Sequence, residues 1–116
     1  MKATIYHNPR CSKSRATKAL LEDKGVDLEI VEYLKNPPSE ETLQTLATLL
    51  AMPAKSLVRT GEAAFREAGI DLDSATNAEI FALLANHPSI LQRPIVRVGN
   101  KARIGRPPDA VLDMLE

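Results

Sequence analysis

Residues 2–31 read KATIYHNPRCSKSRATKALLEDKGVDLEIV, and they decide the fold. Ala3 and Ile5, flanked by Thr4 and Tyr6, form a short strand pattern that Asn8-Pro9 breaks. From Ser12 to about Lys24 the spacing predicts a helix, with Ala16, Ala19 and Leu20 on its apolar face and Gly25 as its stop. Leu28 to Val31 then reads as a second strand. Strand, helix and strand over about 30 residues make a βαβ unit, whose strands run parallel.

Working outward, Pro37-Pro38-Ser39 closes this unit, and Ser39 opens a new helix with Glu40 and Glu41 in its first turn. Leu43, Leu46, Leu49 and Leu50 form its apolar stripe, and Pro53 ends it. Short helical pieces are expected at 54–58 and 62–68, the latter stopped by Gly69. Thr76-Asn77-Ala78-Glu79 is a capping box, opening a helix to about Asn86 whose buried side is Ile80, Phe81, Leu83 and Leu84. Ile95–Val98 and Lys101–Ile104 flank Gly99-Asn100, a two-residue hairpin signal. Pro107-Pro108 starts a final helix over 109–115. The order βαβ, helical insertion, ββα implies an α/β fold with a four-stranded mixed sheet. A single domain over 1–116 is expected, with the helical insertion at about 39–90.

Composition narrows the functional classes. The 116 residues are 44% hydrophobic and 26% charged, ordinary for a globular protein and unlike a disordered or collagenous chain. The longest nearly apolar stretch, 46–54, falls well short of the roughly 20 residues that cross a bilayer. No membrane association is expected. One cysteine, Cys11, allows no internal disulfide, which points to a reducing cytoplasm. His7 and His87 stand far apart, so no metal site is expected. There is no Trp, and four aromatic rings offer little for base stacking, so no nucleic-acid partner is expected. The net charge of zero hides segregation: 1–21 and 80–108 each carry +5 and no acid, while 22–79 carries −7. Two basic segments would attract anions if the fold joined them, or else form a solvated face.

Cys11 falls at the junction of the first strand and helix. A thiol there meets the positive end of the helix dipole and unpaired N–H groups, with Arg10, Lys13 and Arg15 adjacent in sequence. Each effect favours the thiolate. A lone cysteine is otherwise often a buried structural residue, but Arg10, Ser12 and Lys13 are polar flanks that argue against it. Cys11-Ser12-Lys13-Ser14 is a C-x-x-C pattern with the second sulfur replaced by oxygen. The Ser14 hydroxyl is placed either to bond the thiolate or to cap the helix. His7, four residues before Cys11, could favour the thiolate when protonated, or serve only as a strand-end residue. Thr17 occupies the sixth position after Cys11, so the C-x5-R loop of cysteine phosphatases is absent and anion-binding arginines must come from elsewhere. Arg59, Arg93 and Arg106 are the candidates, the last two on loops at strand ends.

His7-Asn8-Pro9-Arg10-Cys11-Ser12-Lys13-Ser14-Arg15 resembles the active-site segment of the glutaredoxin-coupled arsenate reductase (ArsC) family. Tyr33-Leu34-Lys35-Asn36-Pro37-Pro38, Arg93-Pro94-Ile95-Val96 and Gly105-Arg106-Pro107 resemble its later motifs, so the likeness covers nearly the whole chain. The short, YfgD-like members are the most similar. The resemblance implies a thioredoxin-like fold and arsenate reduction with Cys11 as nucleophile. It implies oxyanion binding by Arg59, Arg93 and Arg106, and puts His7 and Ser14 in the thiolate's surroundings. It makes Pro94 a cis-proline candidate. Glutathione enters as co-substrate and glutaredoxin as partner, with no bound cofactor, in a monomer. Ser12 and Lys13 stand where better-known members carry Gly and Thr. Two alternatives remain: a glutathione-dependent thiol transferase without an arsenate role, and an Spx-like non-enzymatic regulator that binds RNA polymerase.

Overall fold

The structure is a computed structural model that describes residues 1–115. The chain divides into two compact units, one made of residues 1–36 and the chain from Arg93 onward, the other of Pro37–Gln92.

The first unit holds β1 (Lys2–His7), α1 (Ser12–Asp23), β2 (Asp27–Glu32), β3 (Ile95–Val98) and β4 (Lys101–Ile104). The strands form one mixed sheet in the order β2-β1-β3-β4. β1 and β2 are parallel, with Ile5 opposite Ile30 and His7 opposite Glu32. β1 and β3 are antiparallel, with Tyr6 opposite Ile95, and β3 and β4 form the Gly99-Asn100 hairpin. This is the mixed sheet and thioredoxin-like order that the sequence implied. Gly25, at φ +74°, lets α1 turn into β2. Its N–H bonds Glu22 O at 3.0 Å and that of Val26 bonds Leu21 O at 3.1 Å, the paired bonds of a Schellman cap.

Ala3, Ile5, Leu21, Val96, Val111 and Met114 make a buried core between sheet and helices. The buried face of α1 is not the expected one. Ala16 and Ala19 are exposed and Leu20 only half-buried, whereas Ser14, Thr17 and Leu21 are buried. The polar pair can face inward because both hydroxyls are bonded. That of Thr17 donates to Lys13 O at 2.8 Å, and Ser14 has partners described below. The last segment, Pro108–Leu115, is a 3-10 helix rather than an α-helix. Its three-residue repeat sets Val111 and Met114 on one side, and both are buried.

In the second unit, α2 (Glu40–Leu50) starts where the Thr42 N–H donates to Ser39 Oγ at 3.1 Å. It buries Leu43, Leu46, Ala47 and Leu50. α3 (Ala63–Ala68) ends at Gly69, φ +67°. α4 (Asn77–Asn86) begins with the expected capping box: Glu79 N–H donates to Thr76 Oγ1 at 3.1 Å, and Thr76 N–H to Glu79 Oε1 at 2.9 Å. α2 and α4 pack together. An antiparallel bridge between Val58 and Leu91 joins the two flanks of this unit, with Arg59 N–H donating to Ile90 O at 2.6 Å.

Candidate active site

The site is built at the end of the sheet where β1 gives way to α1. The Asn8 carbonyl accepts the Cys11 N–H at 3.0 Å, and the Asn8 side-chain oxygen accepts the Arg10 N–H at 3.0 Å. Arg15 braces the same loop by donating to Pro9 O at 2.9 Å. These bonds hold Cys11 at the N-cap of α1 with an extended backbone. Its side chain makes no capping hydrogen bond of standard geometry. The sulfur nonetheless occupies the place of the usual capping oxygen, near the N–H groups of Ser14 and Lys13.

Cys11 is half-buried, and burial pushes its thiol up. The Ser14 N–H, the Arg93 side chain, the Lys13 N–H and the Arg93 charge together outweigh burial and hold the thiol below its ordinary value. Arg106 adds a second guanidinium, with Nη2 3.7 Å from Cys11 Sγ. Its Nε donates to the Arg93 carbonyl at 2.7 Å, which ties the two arginines through the backbone as well. Arg93-Pro94 and Arg106-Pro107 are both cis.

The Ser14 hydroxyl is engaged with the segment that precedes Cys11. The side chain is fully buried, 2.6 Å from His7 Nδ1, and accepts the Asn8 N–H at 3.0 Å. Its backbone N–H, not its hydroxyl, reaches the sulfur. Burial, followed by the Lys18 charge, lowers the His7 pKa below the ordinary imidazole value. His7 Nδ1 lies within hydrogen-bond distance of the Ser14 hydroxyl, and the imidazole tautomer sets which of the two donates. The histidine ties the loop to α1 through Ser14, and the lowered pKa disfavours the protonated ring.

The structure thus brings Cys11, Arg93, Arg106, Ser14 and His7 together within the first unit. Arg59 belongs to the second unit, where its Nε lies 3.3 Å from Glu62 Oε1. Gly105 entered the sequence reading only within the Gly105-Arg106-Pro107 motif, with no role of its own. It is buried between β4 and Arg106, and an added Cβ would lie 2.5 Å from Thr17 Oγ1 and 2.8 Å from Pro94 Cγ. Two turns of chain can meet there only because a side chain is lacking. Among the described residues, no group of three or more His, Cys, Asp and Glu side chains could hold a metal ion. No helix among them is long and apolar enough to cross a membrane.

Comparison with known proteins identifies the family. The family model described as the ArsC family matches residues 6–114. A Haemophilus influenzae protein named arsenate reductase is 41% identical, over 99% of this chain and 100% of its own length. The uncharacterized protein YfgD of Escherichia coli is 42% identical, over 96% of this chain and 94% of its own. A solved structure of arsenate reductase from Vibrio cholerae superimposes with a TM-score of 0.93 at 39% identity, covering 97% of each chain. A match of this extent, on a sheet of this topology with one cysteine at its helix N-cap, means that the chain belongs to the ArsC family.

Proposed function

We propose that the protein is an arsenate reductase that uses Cys11 as its nucleophile and external thiols as its reductant. The observation that carries this is the pairing of a thiol held below its ordinary pKa with two arginines at the same sulfur. A fixed thiolate alone would suit many reactions. With two guanidinium groups beside it, it suits an anionic electrophile, because each planar fork matches two oxygens of a tetrahedral oxyanion. Arg93 and Arg106 hold arsenate while the Cys11 thiolate attacks arsenic, and one arsenate oxygen leaves as water. Arg59 enters as a third oxyanion ligand on the family resemblance alone.

The adduct still contains As(V), and two electrons must come from thiols. Glutathione attacks it, each of the two sulfurs gives up one electron, and arsenite leaves. The sulfurs remain as a Cys11–glutathione mixed disulfide. Glutaredoxin removes the glutathionyl group and returns the Cys11 thiol. Ser14 cannot replace glutathione, since its hydroxyl is not oxidised to a disulfide, and the chain has no second cysteine.

An NADPH-linked assay with arsenate, glutathione and glutaredoxin tests this. The parent protein should turn over and Cys11→Ser should not. Thioredoxin without glutathione should support little turnover. Equal rates for parent and Cys11→Ser would sink the proposal. Turnover of a glutathionylated peptide with none of arsenate would make the protein a thiol transferase instead.

A further inference from the structure

Four polar residues continue the sheet register past the ends of its strands. His7 pairs with Glu32, so the next residues, Asn8 and Tyr33, come abreast. Tyr6 pairs with Ile95, so Asn8 comes abreast of Arg93 on the other side. Ile95 pairs with Ile104, so Arg93 comes abreast of Arg106. The Gly105 N–H to Pro94 O bond of 2.9 Å carries the ladder that far. In strand order the row reads Tyr33, Asn8, Arg93, Arg106, and its last two members reach the Cys11 sulfur.

Tyr33 is fully buried at one end of this row. A phenylalanine would fill the same space without a hydroxyl to desolvate, and burying a hydroxyl costs free energy unless it meets a partner. No hydrogen bond of standard geometry reaches the Tyr33 hydroxyl, yet the Asn8 and Arg93 side chains both face it closely. The Asn8 oxygen is taken by the Arg10 N–H, which leaves its NH2 to donate. The phenol oxygen is then placed to accept from Asn8 and Arg93.

The geometry points to Tyr33 as a positioning residue, whose buried phenol fixes the Arg93 guanidinium against the Cys11 sulfur. Burial pushes the phenol pKa up, and the Arg93 charge pulls it back, as expected for direct neighbours. Tyr33 touches neither the sulfur nor substrate in this role and acts only through Arg93. The inference rests on the reading of Arg93 as an active-site ligand, but its test needs no arsenate.

The experiment is a double-mutant cycle read by Cys11 alkylation with iodoacetamide, an uncharged probe that needs no anion site. At a fixed pH below the midpoint, Tyr33→Phe should slow alkylation about threefold, because a loosely held cation stabilises the thiolate less. In an Arg93→Ala background the same substitution should change nothing. Parent-like alkylation in Tyr33→Phe overturns the inference, as does an equal slowing in both backgrounds, which would mark a general packing role. A second readout covers failure of Tyr33→Phe to fold. Titration of the Tyr33 ring carbons by NMR should move to higher pH in Arg93→Ala, and an unmoved titration overturns the contact. Coupling without arsenate turnover keeps the inference and removes the reaction, whereas turnover without coupling removes the inference alone.

Discussion

Gly105→Ala is expected to cost about 3 kcal/mol of stability. The added methyl would stand 2.5 Å from Thr17 Oγ1, nearly an ångström inside the 3.4 Å of ordinary contact. It would also meet Pro94 Cγ at 2.8 Å and Thr17 Cγ2 at 3.1 Å. None of these atoms yields easily. Thr17 is fully buried and β-branched, and its hydroxyl is bonded to Lys13 O at 2.8 Å. Pro94 is a buried ring. Overpacking of this kind costs roughly 1–3 kcal/mol. Turning the Thr17 rotamer to relieve it forfeits a hydrogen bond worth about 1 kcal/mol more. With a urea slope near 2 kcal/mol/M, the unfolding midpoint should fall by about 1.5 M. Thr17→Ala in the Gly105→Ala background removes two of the three contacts and should restore about half of the loss. Thr17→Ser keeps the oxygen and should restore little. A Gly105→Ala protein within about 0.5 kcal/mol of the parent would refute the close approach of β4's end to α1.

Ser14→Ala should cost about 2–3 kcal/mol in urea unfolding, because it strands the buried Asn8 N–H and the His7 Nδ1 together. Its effect on Cys11 alkylation should be small, since the backbone N–H at Ser14 remains. Calorimetric titration should find arsenate or sulfate binding weakened about tenfold by Arg93→Ala and by Arg106→Ala, with lysine recovering only part. Unchanged affinity in both alanine variants would place the anion elsewhere. Cys11 alkylation against pH should rise to a plateau with a midpoint below the ordinary thiol value, and a midpoint at or above it would refute the activated thiolate. The linkage has a definite sign. The folded thiol loses its proton at lower pH than the unfolded one, so stability rises with pH between the two values and is lost as pH falls through the folded one. Cys11→Ser should flatten that rise.

Elements with local signals were legible in the sequence. The Ser39 cap, the Thr76–Glu79 box, Gly25 and the Gly99-Asn100 turn each sit within four residues of the atoms they serve. The α1 face was misread because apolar spacing favoured Ala16 and Ala19, while Ser14 and Thr17 are buried by hydroxyl bonding that periodicity does not register. The Val58–Leu91 bridge and the row from Tyr33 to Arg106 join residues tens of positions apart, and no local pattern encodes such pairing. The cysteine was recognisable from its strand–helix junction and cationic flanks. The arginines could be set on loops but not gathered, since only the β1–β3–β4 register brings Arg93 and Arg106 to one sulfur.

The lone thiol at the α1 cap, held below its ordinary pKa, also sets how the protein meets peroxide. A sulfur that ionises easily and is only half-buried is the first in a chain to become a sulfenic acid. In proteins with a neighbouring cysteine, that sulfenate is trapped as a disulfide and later rescued. Here Ser14 stands in the resolving position with its hydroxyl held between His7 and Asn8, and the chain offers no second thiol. A thiol from solution is then the brake between a reversible cap and irreversible sulfinic acid. The thiol pool that proposed turnover consumes is thus also what keeps the nucleophile from destruction, and protein stripped of thiols should inactivate in air without unfolding.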